Sequence, residues 1–150
     1  MTPLFKKLNL STQPEIHVLN APPSFETELA ALVDISVSRD VKGAVHFAIA
    51  FAITQAELDA ASTQLADAVD GDAIVWIAYP KGTSRRYLCE FNRDSGWSVL
   101  GAAGFEPVRQ VAIDEDWSAL RFRRVEYIKS MTRNPAGTIS QAGRARADGE

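Results

Sequence analysis

The chain has 150 residues, 46% apolar and 23% charged, with a formal net charge of -3. That length and balance fit one domain with a substantial core, and the acidic balance argues against a dedicated nucleic-acid binder, which carries a basic footprint. The lone Cys89 excludes an internal disulfide, the N-terminus lacks an apolar run of signal-peptide length, and no stretch reaches the roughly 18 apolar residues of a spanning helix, so a cytoplasmic protein away from membranes is expected.

Residues 3–10 can form one or two helical turns, with Leu4, Phe5 and Leu8 on one side. After a break at 11–14, residues 15–19 read as a short apolar strand ended by Asn20, Ala21, Pro22 and Pro23. Ser24 is the expected N-cap of the next helix, since its hydroxyl can accept a first-turn N–H. Thr27 three residues on leaves the capping box incomplete, while Glu26 and Glu28 put negative charge at the positive end of the helix dipole. Phe25, Leu29 and Leu32 follow at helical spacing, and residues 34–40 read as a weak alternating strand with Ile35 and Val37 on one face.

Residues 44–53 are almost entirely apolar, the pattern of a strand buried on both faces. Thr54 and Glu57 form a complete capping box for a helix running to about Val69, which Asp70, Gly71 and Asp72 stop. A second buried strand is expected over 73–79. Strand, helix and strand in that order predict a parallel crossover. Asp94 or Ser95 can start a short helix through Trp97, Val99 and Leu100, with Gly104 as its stop. Residues 105–114 and 119–127 flank so short a link that an antiparallel hairpin is expected. The last segment, 131–150, is poor in large apolar groups and reads as a disordered tail. The fold class is therefore α/β, three-layer and Rossmann-like, with a mostly parallel sheet, a C-terminal antiparallel hairpin, and one domain over 1–130.

Four short stretches carry a resemblance: VLNAP at 18–22, FAIT at 51–54, WIAYPKGTS at 76–84 and IDEDWSALRF at 113–122. In combination they resemble the bacterial domain-of-unknown-function family 3052, over about residues 8–127. The resemblance implies a shortened class I methyltransferase-like domain and implies no activity. The segment 85–93 departs from the family's pattern, so no ligand contact is carried over to it.

The residues divide the chemistries. A nucleotide-binding first turn needs glycines, so that the backbone approaches the ligand and helix N–H groups face it. Here residues 20–25 hold no glycine, and two prolines remove two donors. That opposes ordinary S-adenosylmethionine or dinucleotide binding, and no cofactor is expected. Asp40 stands where such folds place an acid for ribose hydroxyls, but reads first as a solvated turn residue, since loop acids usually lie on the surface. The bend after strand 73–79 carries the strongest positive signal: Lys81, Thr83, Ser84, Arg85 and Arg86 around Gly82. Small residues expose backbone N–H groups, hydroxyls donate, and arginine forks match carboxylate or phosphate oxygens. The GxxxxGK[ST] spacing of a P-loop is absent.

Asp114, Glu115 and Asp116 have three readings: acid–base or cation chemistry, a solvated turn, or pairing with Arg85, Arg86 or Arg93 across the strand ends. Trp117 is a candidate wall for the site, with packing at the sheet edge as its alternative. His17 and His46 fall within strands and read as structural, and two histidines with one cysteine do not make a usual zinc set. Arg121 and Arg123 alternate onto one strand face, opposite Phe122 and Arg124. The leading expectation is non-catalytic binding of a small anionic ligand or a protein partner by Lys81, Thr83, Ser84, Arg85, Arg86 and Trp117, without nucleic acid or membrane. The alternative is a divergent S-adenosylmethionine-dependent methyltransferase-like enzyme using Asp40 and residues 20–24. Oligomeric state is not legible.

Overall fold

Parallel strands buried on both faces need helices on both sides, and that requirement organises the molecule. In the computed structural model, which describes residues 2–128, the elements run α1 (Pro3–Lys7), β1 (Glu15–Leu19), α2 (Pro23–Ala30), β2 (Ser36–Ser38), β3 (Val45–Phe51), α3 (Gln55–Ala68), β4 (Val69–Pro80), α4 (Ser98–Ala102), β5 (Phe105–Ala112) and β6 (Trp117–Arg124), then a 3-10 turn at Val125–Tyr127. The six strands form one sheet in the order β2-β1-β3-β4-β6-β5. The first four are parallel, and β6 runs antiparallel to both β4 and β5. The expected three-layer α/β sheet with its C-terminal hairpin is what the chain builds. The tail expected over 131–150 lies outside the described residues.

Alternation along the strands makes two cores. On one face Ala48 and Ala50 of β3 and Val75 and Ile77 of β4 meet Leu58, Ala61 and Leu65 of α3 and Leu100 of α4. On the other, Phe47, Ile49 and Phe51 of β3 and Trp76 of β4 meet Leu4, Phe5 and Leu8 near α1 and Phe25 and Leu29 of α2. Along β3 the side-chain size differs by face: Ala48 and Ala50 face α3, and Phe47, Ile49 and Phe51 face α1 and α2. Burying each large ring contributes about 1.5–3 kcal/mol, which is why the weakly capped α2 holds its place. Trp76 is fully buried, and its indole N–H donates to the Leu8 carbonyl at 2.9 Å.

Several local expectations are corrected. Pro22, not Ser24, stands at the N-cap of α2, with Pro23 in the first turn; Pro22 gives no side-chain cap, and proline's fixed φ suits the helix start. Residue Asp34 sits at φ 59, so β2 is only 36–38 rather than 34–40. The Asp70–Asp72 break is no loop: β4 begins at Val69 and takes up the irregularity as a register shift opposite Val45 and Phe47. Helix α4 begins after Trp97 rather than at Asp94 or Ser95, because Trp97 is drawn into the core beside Tyr79, Phe91 and Phe122. The Thr54–Glu57 capping box is present as read from the sequence. Only residues 39–44 return the chain from β2 to β3, where a helix is the usual crossover.

Candidate functional site

The C-terminal ends of β1, β3 and β4 and the β5–β6 turn share one rim of the sheet. The Ala52 N–H donates to the Ala78 carbonyl at 2.9 Å, and the Lys81 N–H to the Asp116 carbonyl at 2.8 Å. Backbone bonds thus fix the bend after β4 against the acidic turn.

Asp116 organises that junction. Its carboxylate accepts the Ser84 hydroxyl at 2.8 Å and pairs with the Arg86 guanidinium at 3.5 Å. Ser84 Oγ in turn accepts the Arg86 and Tyr87 N–H groups, both at 3.2 Å, so the serine closes its own turn. Asp114 braces the other side, with one oxygen accepting the Asp116 and Trp117 N–H groups at 2.8 and 2.9 Å and the other the Ser24 hydroxyl at 3.2 Å. Of the three readings of the acidic turn, pairing across the strand ends is the one present, through Arg86. Arg85 and Lys81 make no side-chain hydrogen bond or ion pair among the described residues. A cleft of about 480 Å³ opens here, lined by Thr83, Arg85, Arg86, Glu115 and Asp116. Its charge is mixed, so an incoming anion meets Arg85 free and Arg86 already engaged.

Trp117 is no wall of this cleft. It is 3% exposed, edge-on to Phe51 at 5.1 Å and against Tyr87 at 5.0 Å. An indole between two rings gains more from burial than from facing water, so the packing alternative is the observed one.

The loop 81–97 covers a second cavity of about 670 Å³, which includes Tyr79, Cys89, Arg93, Gln110 and Ser118. Gln110 bridges the Tyr79 hydroxyl and Ser118 Oγ, each at 3.1 Å. Burial pushes the Tyr79 phenol and the Cys89 thiol up from their ordinary values, which keeps both protonated at neutral pH. Glu90 ties the loop to α3, accepting the Gln55 N–H at 2.8 Å. Gly96 completes the anchorage: at φ +99, an added Cβ would lie 2.8 Å from Phe91 Cβ.

The first turn is built differently. Asn20 takes a left-handed conformation, φ 59, and its amide donates to the Phe51 carbonyl at 3.4 Å. Through Ser24, the Asp114 carboxylate sits beside the start of α2, where a cofactor's anionic group would otherwise find the helix end. Below, a cavity of about 590 Å³ lies between the β1 and β2 ends and α3, with Asn20, Asp40, Lys42 and Gln64 on its lining. Asp40 is exposed there, and Arg39 is held by Glu26. The return from β2 to β3 without a helix leaves this space open. His17 and His46 line a cavity at the N-terminal ends of the strands, so the fold keeps them away from Cys89 and from the rim. Among the described residues no three His, Cys, Asp or Glu side chains group as metal ligands, and no helix is long and apolar enough to cross a membrane.

Solved structures share this sheet. The ribosomal protein L11 methylase from Lactobacillus delbrueckii subsp. bulgaricus is similar with a TM-score of 0.52 at 11% identity, over 81% of this chain and 76% of that one. The N-methyltransferase NodS from Bradyrhizobium japonicum WM9 gives 0.51 at 12%, over 81% and 92%. The fold is methyltransferase-like. Magnesium protoporphyrin IX methyltransferase from Synechocystis PCC 6803 is similar at 0.50 and 12%, over 81% and 74%. At such identities the methyltransferase-like likeness concerns the backbone alone. The sequence matches no protein-family model and no curated protein.

Within the methyltransferase-like rim, the structure gathers Thr83, Arg85 and Arg86 at one cleft, and keeps Lys81 and Ser84 in the adjoining turn. It removes Trp117. Sequence reasoning missed the Ser24–Asp114 link, for which a serine beside two prolines gives no signal across 90 residues.

Proposed function

We propose that the protein is a non-catalytic binding protein that keeps the methyltransferase-like sheet and takes a small anionic ligand, or an anionic group of a protein partner, at the bend 80–86. The observation that carries this reading is Arg85, a guanidinium without a partner among the described residues at the mouth of a cleft on the strand-end rim. Thr83 adds a hydroxyl, Lys81 a second uncommitted cation, and Arg86 a fork that a strong acceptor can share with Asp116. Glu115 and Asp116 set the selectivity: a ligand with a cationic or hydrogen-donating group beside its anion is favoured over a bare polyanion. The glycine-free, proline-bearing first turn, with the Asp114 carboxylate beside it, supports a lost cofactor site. The four stretches that resemble family 3052 are the basis for placing the chain in that family, and the single free thiol fits a cytoplasmic setting.

Thermal shift against phosphate, nucleotides and small carboxylates tests the reading, with the Arg85→Ala/Arg86→Ala double variant alongside. A ligand at 100 times its dissociation constant adds about 2.7 kcal/mol of stability, and that gain is lost in the double variant. Equal behaviour of the two proteins with every anion removes the proposal.

The second reading, a methyltransferase-like enzyme, is favoured by one observation: the 590 Å³ cavity with Asn20 and Asp40 on its lining. Calorimetry with S-adenosylmethionine and S-adenosylhomocysteine separates the two. Tight binding sensitive to Asp40→Asn supports the enzyme, and silence at millimolar cofactor sinks it.

A further inference from the structure

Away from the rim, β6 carries a different cluster. Leu120 and Phe122 enter the core beside α3, so Arg121 and Arg123 face the opposite side of the sheet. Arg121 stands in register with Trp76 on β4 and with Arg109 on β5. Two cations directly opposite each other on neighbouring strands repel; Arg123 adds a third on the same face, where the buried Glu106 stands in register with it on β5.

The protein answers only part of that charge. Asp72 binds Arg123 through both carboxylate oxygens, with Nε to Oδ1 at 3.0 Å, and is thereby used. Arg109 has the neutral amide oxygen of Asn9 at 3.1 Å. Arg121 Nε is buried and has no acceptor among the described residues, while the residue as a whole is partly exposed. Burial, then Arg123 and Arg109, make its charged form less favourable than usual, with Asp72 as the opposing influence. A buried guanidinium N–H of this kind is costly unless an acceptor arrives, and the acceptor that also relieves the repulsion is an anion.

We infer that this face is a second oxyanion site, in which Arg121 and Arg109 hold one phosphate-type group beside Arg123. Guanidinium forks from two strands match the several acceptor oxygens of a tetrahedral oxyanion better than they match a single carbonyl. Asp72 keeps Arg123 engaged, which limits the site to one group rather than a polyanion track. The inference stands apart from the reading of the bend 80–86, because it uses other residues on another surface.

The test starts from the Arg85→Ala/Arg86→Ala protein, so the rim does not contribute. Inorganic phosphate is titrated at constant ionic strength set with sodium chloride, followed by calorimetry and by the arginine Nε–Hε signals in NMR. One Nε–Hε signal, assigned by its loss in Arg121→Gln, shifts with phosphate. Arg121→Gln lowers the affinity about tenfold or more, and Arg121→Lys, which keeps the charge without the fork, lowers it by less. A nucleoside monophosphate run in parallel separates the sources: equal affinity points to free phosphate, and tighter binding to a phosphorylated molecule. The inference is overturned if phosphate does no more than chloride, or if binding is unchanged in Arg121→Gln. Arg121→Lys keeps the test decisive should the glutamine variant fail to fold.

Discussion

Two turns leave the same rim of the sheet and carry opposite chemistry. The first, 20–24, is closed by prolines, with Asn20 bonded to β3 and an aspartate from the far hairpin beside the start of α2. The second, 80–86, is pinned by its backbone to the β5–β6 turn but keeps Lys81 and Arg85 unengaged and its cleft open. The acidic turn serves both: Asp114 braces the first turn and Asp116 the second. A methyltransferase-like sheet can thus carry different polar groups at different strand ends, because each strand end is an independent loop on a shared scaffold.

The largest effect that tests this comparison is at Trp117. As a core ring between Phe51 and Tyr87, its replacement in Trp117→Ala costs about 3–5 kcal/mol in denaturant unfolding. A loss under about 1 kcal/mol together with weakened ligand binding would return Trp117 to the cleft wall and reopen the second turn as an aromatic-lined site. The next effect is at Asp116. Asp116→Asn keeps the shape but removes the charge that engages Arg86, so stability falls by about 1 kcal/mol and any anion that binds the cleft binds more tightly. Unchanged affinity would separate the acidic turn from the site.

The smallest effect concerns α3, whose start lies between the two turns. Thr54→Ala removes the side-chain acceptor for the Glu57 N–H, 3.1 Å long, and costs about 1 kcal/mol. The N–H groups of Thr54 and then Ile53 hold the Glu57 carboxyl below its ordinary value of 4.5, against a smaller desolvation cost. Its folded pKa is therefore depressed, so its contribution is present above 4.5 and is lost as pH falls below that value through the folded pKa. Glu57→Gln flattens this part of the acid limb in urea midpoints taken from pH 6 downward, a range set by the ordinary carboxylate pKa values. An unchanged acid limb would show that the capping carboxylate carries no pH dependence.

Much of the fold was legible because its signals are local. The apolar run at 44–53, the Thr54–Glu57 box and the short link between the last two strands, expected at 115–118 and found at 113–116, each need only neighbouring residues to specify strand, helix start and hairpin. The exposed bend with Arg85 was legible too, since a basic, small-residue turn after a buried strand has a fixed place on such a sheet. The same alternation put Arg121 and Arg123 on one face.

Tertiary structure decided which groups are spent. Ser24 reads as a helix cap until Asp114, 90 residues away, takes its hydroxyl. Trp117 reads as either wall or core until Phe51 and Tyr87 close on it, and Trp97 leaves its helix for the ring cluster at Tyr79. Propensity and spacing report what a residue can do next to its neighbours in the chain. Whether a serine, an indole or a guanidinium still has its capacity free depends on partners that only folding brings within a few ångströms.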